Sequence, residues 1–332
     1  MKGAPHLEKV RDVHAPISDD IVGLLDQMRD GGGFTARSLA EAAVILRDMG
    51  ADRDCTRFLS FPAAPVATGL RGVLVDLVRG GLVDVIVTAS GTLDHDIART
   101  LADYYHGRFE MDDVQLRKKG YHRLGNVLVP LESYGPLIER RMQALLSRLY
   151  GTGERSITTE ALCSEIGKDL DSKDSLLYWA QKKGIPVFVP GIMDGAVGSQ
   201  IWLFAESHRD FRVDVIGDER RLSDIVSEAK KTGALVIGGG ISKHHVIWWN
   251  QFRGGLDYAC YVTTAQEFDG SLSGAQVREA ISWGKVKPQA AQVTLYAEAT
   301  AALPLIASYA LTSLKRSGTP SRSLNRRTTK RN

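Results

Sequence analysis

Cysteine is scarce in this 332-residue chain: Cys55, Cys163 and Cys260 are the only three, and no two form a Cys-x-x-Cys pair. That spacing gives neither a disulfide framework nor a thiolate zinc site, and it reads as a chain of the reducing cytoplasm. No apolar run reaches the ~18 residues of a membrane span. Met1 to Asp12 is polar and charged, so no secretory signal is expected. A Gly-x-Gly-x-x-Gly turn is also missing, which removes the usual dinucleotide fingerprint. Acidic residues are absent from Thr312 onward, where Lys315, Arg316, Arg322, Arg326, Arg327, Lys330 and Arg331 supply seven basic ones. Those seven exceed the net +3 of the whole chain and leave the body at −4. A mildly acidic body suits a cationic ligand. The tail reads as a disordered, solvated segment, with RNA contact the sharper reading of the same charges.

Short apolar runs alternate with amphipathic stretches. Strands are expected at Val83 to Thr88, Ile185 to Val189, Ala234 to Ile237, Tyr258 to Thr263 and Gln292 to Ala297. Helices are expected at Asp19 to Arg29, Ala36 to Asp48, Thr92 to Tyr105, Leu131 to Tyr150, Gly195 to Ala205 and Lys243 to Phe252. Continuous apolar strands separated by helices predict an α/β fold: a doubly wound, mostly parallel sheet covered on both faces, Rossmann-like in plan. The division expected is a helical N-terminal extension (1–50), one catalytic α/β domain (51–314) and the basic tail (315–332). In such sheets ligands bind beyond the carboxyl ends of the strands. Three of those ends carry small or polar residues: Thr88-Ala-Ser-Gly-Thr92, Pro190-Gly-Ile-Met-Asp-Gly195 and Gly238-Gly-Gly240. Glycines there let backbone N–H groups approach a pyrophosphate, although a tight structural turn would explain them equally well.

The run from Thr264 to Lys285 concentrates the carboxylates Glu267, Asp269 and Glu279, a tryptophan and a lysine. With Ser273 as N-cap, Ala275 to Trp283 reads as a helix that places Glu279 and Trp283 on one face. Gly284 would end it, with Lys285 just beyond. A carboxylate beside an indole suits an organic cation, and a lysine there could attack an imine or carbonyl carbon. The plainer reading is an amphipathic helix with one core tryptophan and solvated charges. His244 and His245 are adjacent, so they point apart on a helix, and no Cys or His cluster joins them; no metal is expected.

These segments resemble the deoxyhypusine synthase family, in its archaeal form. The likeness is carried by Ala265-Gln-Glu-Phe-Asp-Gly270 and Ser282-Trp-Gly-Lys285, with Gly238-Gly-Gly-Ile-Ser-Lys-His-His245. It continues through Tyr178-Trp-Ala-Gln-Lys-Lys-Gly-Ile-Pro-Val-Phe188, Asp194-Gly-Ala-Val-Gly198, Gly125-Asn-Val-Leu-Val-Pro130 and Thr88-Ala-Ser-Gly-Thr-Leu-Asp-His-Asp96. It runs in order from about Phe58 to Ser308. The resemblance implies NAD as cofactor, with Ser90, Gly91, Asp194, Gly239, Asp269, Ala297 and Glu298 around it. It implies Lys285 as the nucleophile and His244 as a proton-transfer residue. Glu279, Trp283, Tyr261 and His244 would line the polyamine site. The implied reaction moves the aminobutyl group of spermidine, through an imine on Lys285, to a lysine of the translation factor 5A precursor. A homotetramer with sites between subunits is implied as well.

This chain also departs from the eukaryotic pattern. Ser199 and Leu272 stand where acidic residues are expected, His95 replaces a glutamate, and Phe61-Pro-Ala-Ala-Pro65 replaces a Ser-Asn pair. An enzyme resembling homospermidine synthase, with a small diamine as acceptor, is the alternative. A non-catalytic NAD-binding or RNA-associated protein is a third reading, but it has no use for Lys285 beside Glu279 and Trp283. The zinc cysteines of a sirtuin-like enzyme are missing.

Overall fold

The computed structural model describes residues 11–14 and 20–318. Six strands form one parallel sheet: β1 (Cys55–Phe61), β2 (Val85–Thr88), β3 (Val187–Phe188), β4 (Lys231–Ile237), β5 (Leu256–Thr263) and β6 (Val286–Tyr296). Their spatial order is β6-β5-β4-β1-β2-β3. The chain therefore starts at the centre, fills one side, and crosses back to fill the other. This is the doubly wound order expected, with its switch point between β1 and β4.

Side chains alternate across the sheet with the period of two that a strand imposes. Leu59, Phe61, Leu235, Ile237 and Val262 join Leu46 and Ile306 in a core on one face. Phe58, Val85, Val236 and Tyr261 join Val246, Ile247 and Leu222 in a second core on the other. The helices Phe34–Ala51 and Ala299–Arg316 belong to the first layer, and Gly240–Gln251 and Val215–Glu228 to the second. The segment expected as an N-terminal extension thus contributes a helix that lies on the sheet itself. The last helix runs to Arg316 and takes in Lys315; the remaining basic tail residues lie outside the described residues.

Several local expectations need correction. β1, the central strand, is absent from the strands predicted, because Arg57 and Ser60 break its apolar run. Burial of Arg57 is offset by Asp84, which accepts from its Nε at 2.7 Å, its Nη2 at 2.8 Å and its backbone N–H at 2.9 Å. The helix expected to reach Tyr105 ends at Leu101. Beyond it Tyr105–His106, Tyr121–Leu124 and Val127–Pro130 form a small antiparallel sheet whose strands are only two to four residues long, too short to register as apolar runs. The expected helix from Ala275 to Trp283 shrinks to Glu279–Ser282, and Ser273 caps nothing. Tight turns precede it because the segment is pulled onto its neighbours by contacts far away in sequence.

Buried carboxylates tie the layers together by holding helix N-termini. Asp96 accepts from Leu176 N–H at 3.1 Å and Leu177 N–H at 2.9 Å. Asp94 accepts from Ala196 and Val197 N–H, both at 2.8 Å, and from the Tyr134 hydroxyl at 2.8 Å. Asp218 accepts from Thr159 N–H at 2.9 Å. Burial pushes Asp94 above the usual carboxylate range, against the lowering effect of these donors. The three cysteines are buried and not joined in disulfides, and burial pushes the Cys55 and Cys260 thiols up to about 12.

Removing Asp84 leaves the Arg57 guanidinium buried and unpaired. Asp84→Ala is expected to cost about 3–5 kcal/mol of unfolding free energy, the usual effect of breaking a buried pair from one side. Denaturant unfolding followed by circular dichroism checks it; a loss under ~1 kcal/mol, as for an exposed pair, would contradict the assignment.

Candidate active site

β1 ends at Phe61 and β4 at Ile237, and each strand turns away at once. The β4 turn needs its three glycines for two different reasons. Gly238 and Gly240 have φ of 69° and 70°, in the left-handed region that side chains resist. Gly239 has no room: a Cβ there would lie 2.1 Å from the Ser273 hydroxyl oxygen.

Four helices begin along the carboxyl edge of the sheet, and their N-termini differ. The first amides of Ala196–Ser207 are taken by Asp94. Those of Ala299–Arg316 are partly taken by Glu298, which accepts from Ala301 N–H at 3.2 Å. Gly240–Gln251 and Ser90–Leu101 start with no side-chain cap, so their N–H groups can meet an anion. Gly91 packs so closely that a Cβ would lie 2.8 Å from Ala63 Cβ. The Ser90 hydroxyl is buried and donates to Ile192 O at 2.7 Å, which fixes the loop that exposes Asp194. Asp269 accepts from the Ser271 hydroxyl at 2.6 Å and its N–H at 2.7 Å, and these bonds hold its carboxyl below the ordinary range. Ala297 N–H donates to Thr263 O at 3.0 Å, which ties the end of β6 to that of β5. A close-approach glycine, uncapped amides and carboxylates along one edge fit a dinucleotide with a pyrophosphate and ribose hydroxyls.

Lys285 lies between Gly284 and the start of β6. Its N–H donates to Ala280 O at 2.9 Å, and its carbonyl accepts from Leu256 N–H at 3.0 Å. The residue is 7% exposed. Its Nζ lies 5.1 Å from the centre of the Trp283 ring and 5.7 Å from that of Trp248, within cation–π range. His244 stacks on the other tryptophan, Trp248, at 5.6 Å and 27°. Burial lowers the His244 pKa, and the Lys285 charge lowers it further. The ring is therefore neutral at neutral pH and able to take a proton. Glu279 and Trp283 are both exposed beside this group, Trp283 at 65%.

The expected residues do not all share one surface. Lys285, Trp283 and His244 come together around Trp248, which sequence reasoning passed over. Tyr261 is 1% exposed in the second core, and its hydroxyl has no partner among the described residues. Its neighbour is Lys243, whose Nζ is 4.4 Å from the ring centre. Lys243 was missed because the helix was expected to begin there. Begun at Gly240, the 3.6-residue period sets Lys243 on the buried face with Val246, Ile247 and Asn250. His245 turns the other way, with Nε2 3.3 Å from Glu219. His95 is half-buried beside Tyr104, with Nδ1 at 2.9 Å from its hydroxyl, and burial, helped by Arg99, lowers its pKa to about 4.

The deoxyhypusine synthase family model matches residues 23–310. The chain belongs to the deoxyhypusine synthase family. A protein named a probable deoxyhypusine synthase from Thermoplasma acidophilum is 55% identical over 297 residues, covering 90% of this chain and 95% of that one. Another from Ignicoccus hospitalis is 50% identical, covering 90% and 94%. A crystal structure of a candidate deoxyhypusine synthase from Entamoeba histolytica superposes with a TM-score of 0.62, covering 88% of this chain and 93% of that one. At 20% identity that likeness speaks for the fold alone. Membership makes this chain an aminobutyltransferase of hypusine biosynthesis, and it favours the protein-acceptor reading over the small-diamine alternative.

With Lys285 as a cationic neighbour of His244, Lys285→Ala should move the His244 pKa upward, toward but not fully to its ordinary value, since burial remains. An NMR titration of the ring protons measures it. No shift in the variant would show that the two groups do not share a site.

Proposed function

We propose that this chain uses spermidine as aminobutyl donor and a lysine of the translation factor 5A precursor as acceptor, with NAD as cofactor and Lys285 as the nucleophile. The observation that carries the reading is the buried Lys285 amine between two indole faces, with a neutral histidine stacked on one of them. When bound, NAD supplies the hydride acceptor for the donor amine and the hydride donor for the final reduction. Ser90, Gly91, Asp194, Gly239, Asp269, Ala297 and Glu298 would hold it.

Glu279 and the Trp283 face would steer a polyamine cation onto Lys285. The Tyr261 hydroxyl, buried and without a partner among the described residues, would line the deep end of the polyamine site. His244 would take the proton that Lys285 must lose before it can attack the oxidised donor carbon. Diaminopropane then leaves, and the aminobutyl group stays on Lys285 as an imine until the acceptor lysine displaces it. The open side of this site supports cover by a second copy: Trp248 and Trp283 beside Lys285, and Phe252 against Trp248, are all exposed. A homotetramer with shared sites is proposed on that basis. Among the described residues no helix is long and apolar enough to cross a membrane, and a cytoplasmic location is proposed.

Lys285→Ala should abolish transfer while leaving hydride abstraction from spermidine detectable. Borohydride should attach labelled aminobutyl to the natural chain at Lys285; label at another lysine, or an active variant, would sink the assignment. A ligand of the native state stabilises by mass action, so millimolar NAD should raise the melting temperature, and Asp194→Ala should weaken that rise. An unchanged melting curve would reject NAD as the cofactor.

A further inference from the structure

The least economical side chain in the molecule is Lys243. It is 1% exposed on the helix Gly240–Gln251. Among the described residues no carboxylate lies within ion-pair distance of it. Burial lowers its pKa to about 8, with only the more distant Glu279 acting the other way. A buried ammonium without a counter-charge is costly unless every proton is used. Here they are used: Nζ donates to Leu272 O at 2.6 Å and to Ala275 O at 2.8 Å, and faces the Tyr261 ring at 4.4 Å. An amine committed in this way, behind that loop, is not available as a second nucleophile.

What those two bonds hold is informative. Leu272 and Ala275 flank Ser273, whose hydroxyl oxygen fills the space a side chain at Gly239 would need. Gly274 is packed in turn, with a Cβ there only 1.9 Å from Gln266 O. Val277 N–H, two residues past Ala275, donates to Thr294 on β6 at 3.0 Å. Glu279, Trp283 and Lys285 follow on the same segment. One ammonium thus joins the glycine turn after β4 to the loop that leads to Lys285.

We infer that Lys243 is a positioning residue: its ammonium latches the Leu272–Ala275 turn onto the glycine turn at Gly239, setting the cofactor cradle and the approach of Lys285 as one unit. The inference rests on the functional reading above for its catalytic consequence, but the latch itself is a property of the unliganded chain.

The test uses the full chain with Lys243→Met, which keeps length and removes the donors, and Lys243→Gln, which restores neutral N–H donors. Amide hydrogen exchange without ligand, the NAD Kd, and kcat against KM for spermidine are measured. Losing two charge-assisted bonds should speed exchange at residues 271–277 by about tenfold or more in the Met variant. The NAD Kd should rise by about tenfold, by the same loss. The fall in kcat should exceed any rise in the spermidine KM, since Glu279 and Trp283 remain. The Gln variant should recover part of each change. A folded Met variant with natural exchange at 271–277 overturns the latch. So does a Met variant that only loses melting temperature while its NAD Kd and kcat stay natural. If the Met variant does not fold, the Gln variant decides: exchange and Kd identical to the natural chain overturn the need for the ammonium, and intermediate values support it. If the natural chain binds no NAD, the functional reading fails, and the exchange measurement still judges the latch.

Discussion

The parallel pairing of β1 with β4 is the constraint on which the rest depends. It joins strands that are far apart in sequence, with Phe58 opposite Ala234 and Ser60 opposite Val236. The pairing sets Pro62 against Gly238, where a Cβ would lie 3.4 Å from the proline ring. It also creates the switch point from which neighbouring loops diverge and leave a crevice. The glycine turn, Lys243 and His244 all follow β4 directly, so their position is inherited from this pairing. Lys285 immediately precedes β6, level with the first residue of β5, and from there its amine meets the helix Gly240–Gln251 at Trp248.

Charge is used in two distinct ways. Most of it is tied down in pairs and caps: Arg57 with Asp84, Asp96 with Arg71 and a helix start, Asp94 with a second helix start. Such groups cost desolvation but fix one arrangement of layers. Against the helix Gly240–Gln251, Lys243 and Lys285 are buried without an ion-pair partner among the described residues, stabilised by carbonyls and ring faces instead. An aromatic face holds the ammonium less firmly than a carboxylate would, so less stabilisation is lost when such an amine gives up its proton.

The sheet class was legible because β2, β4 and β5 are continuous apolar runs, which only a doubly covered strand tolerates. β1 was not, since Arg57 becomes acceptable only when Asp84 reaches it across the sheet. The candidate site residues stood out as a spacing, Glu279 to Lys285, and as a resemblance. Their local structure was not: a helix from Ala275 suits the local pattern, yet Lys243 and Thr294 take up the backbone groups of Leu272, Ala275 and Val277 that such a helix would have used.

The amino-acid sequence by itself determined the fold class and the family, and singled out Lys285 as the candidate nucleophile, because periodicity and motif order are local properties. The tertiary structure alone decided that Trp248 joins Lys285 and His244, that Tyr261 lies in the core, and that Lys243 spans the crevice's two loops. Those facts depend on which strands pair, and pairing is settled by burial and hydrogen bonding between segments that no local pattern connects.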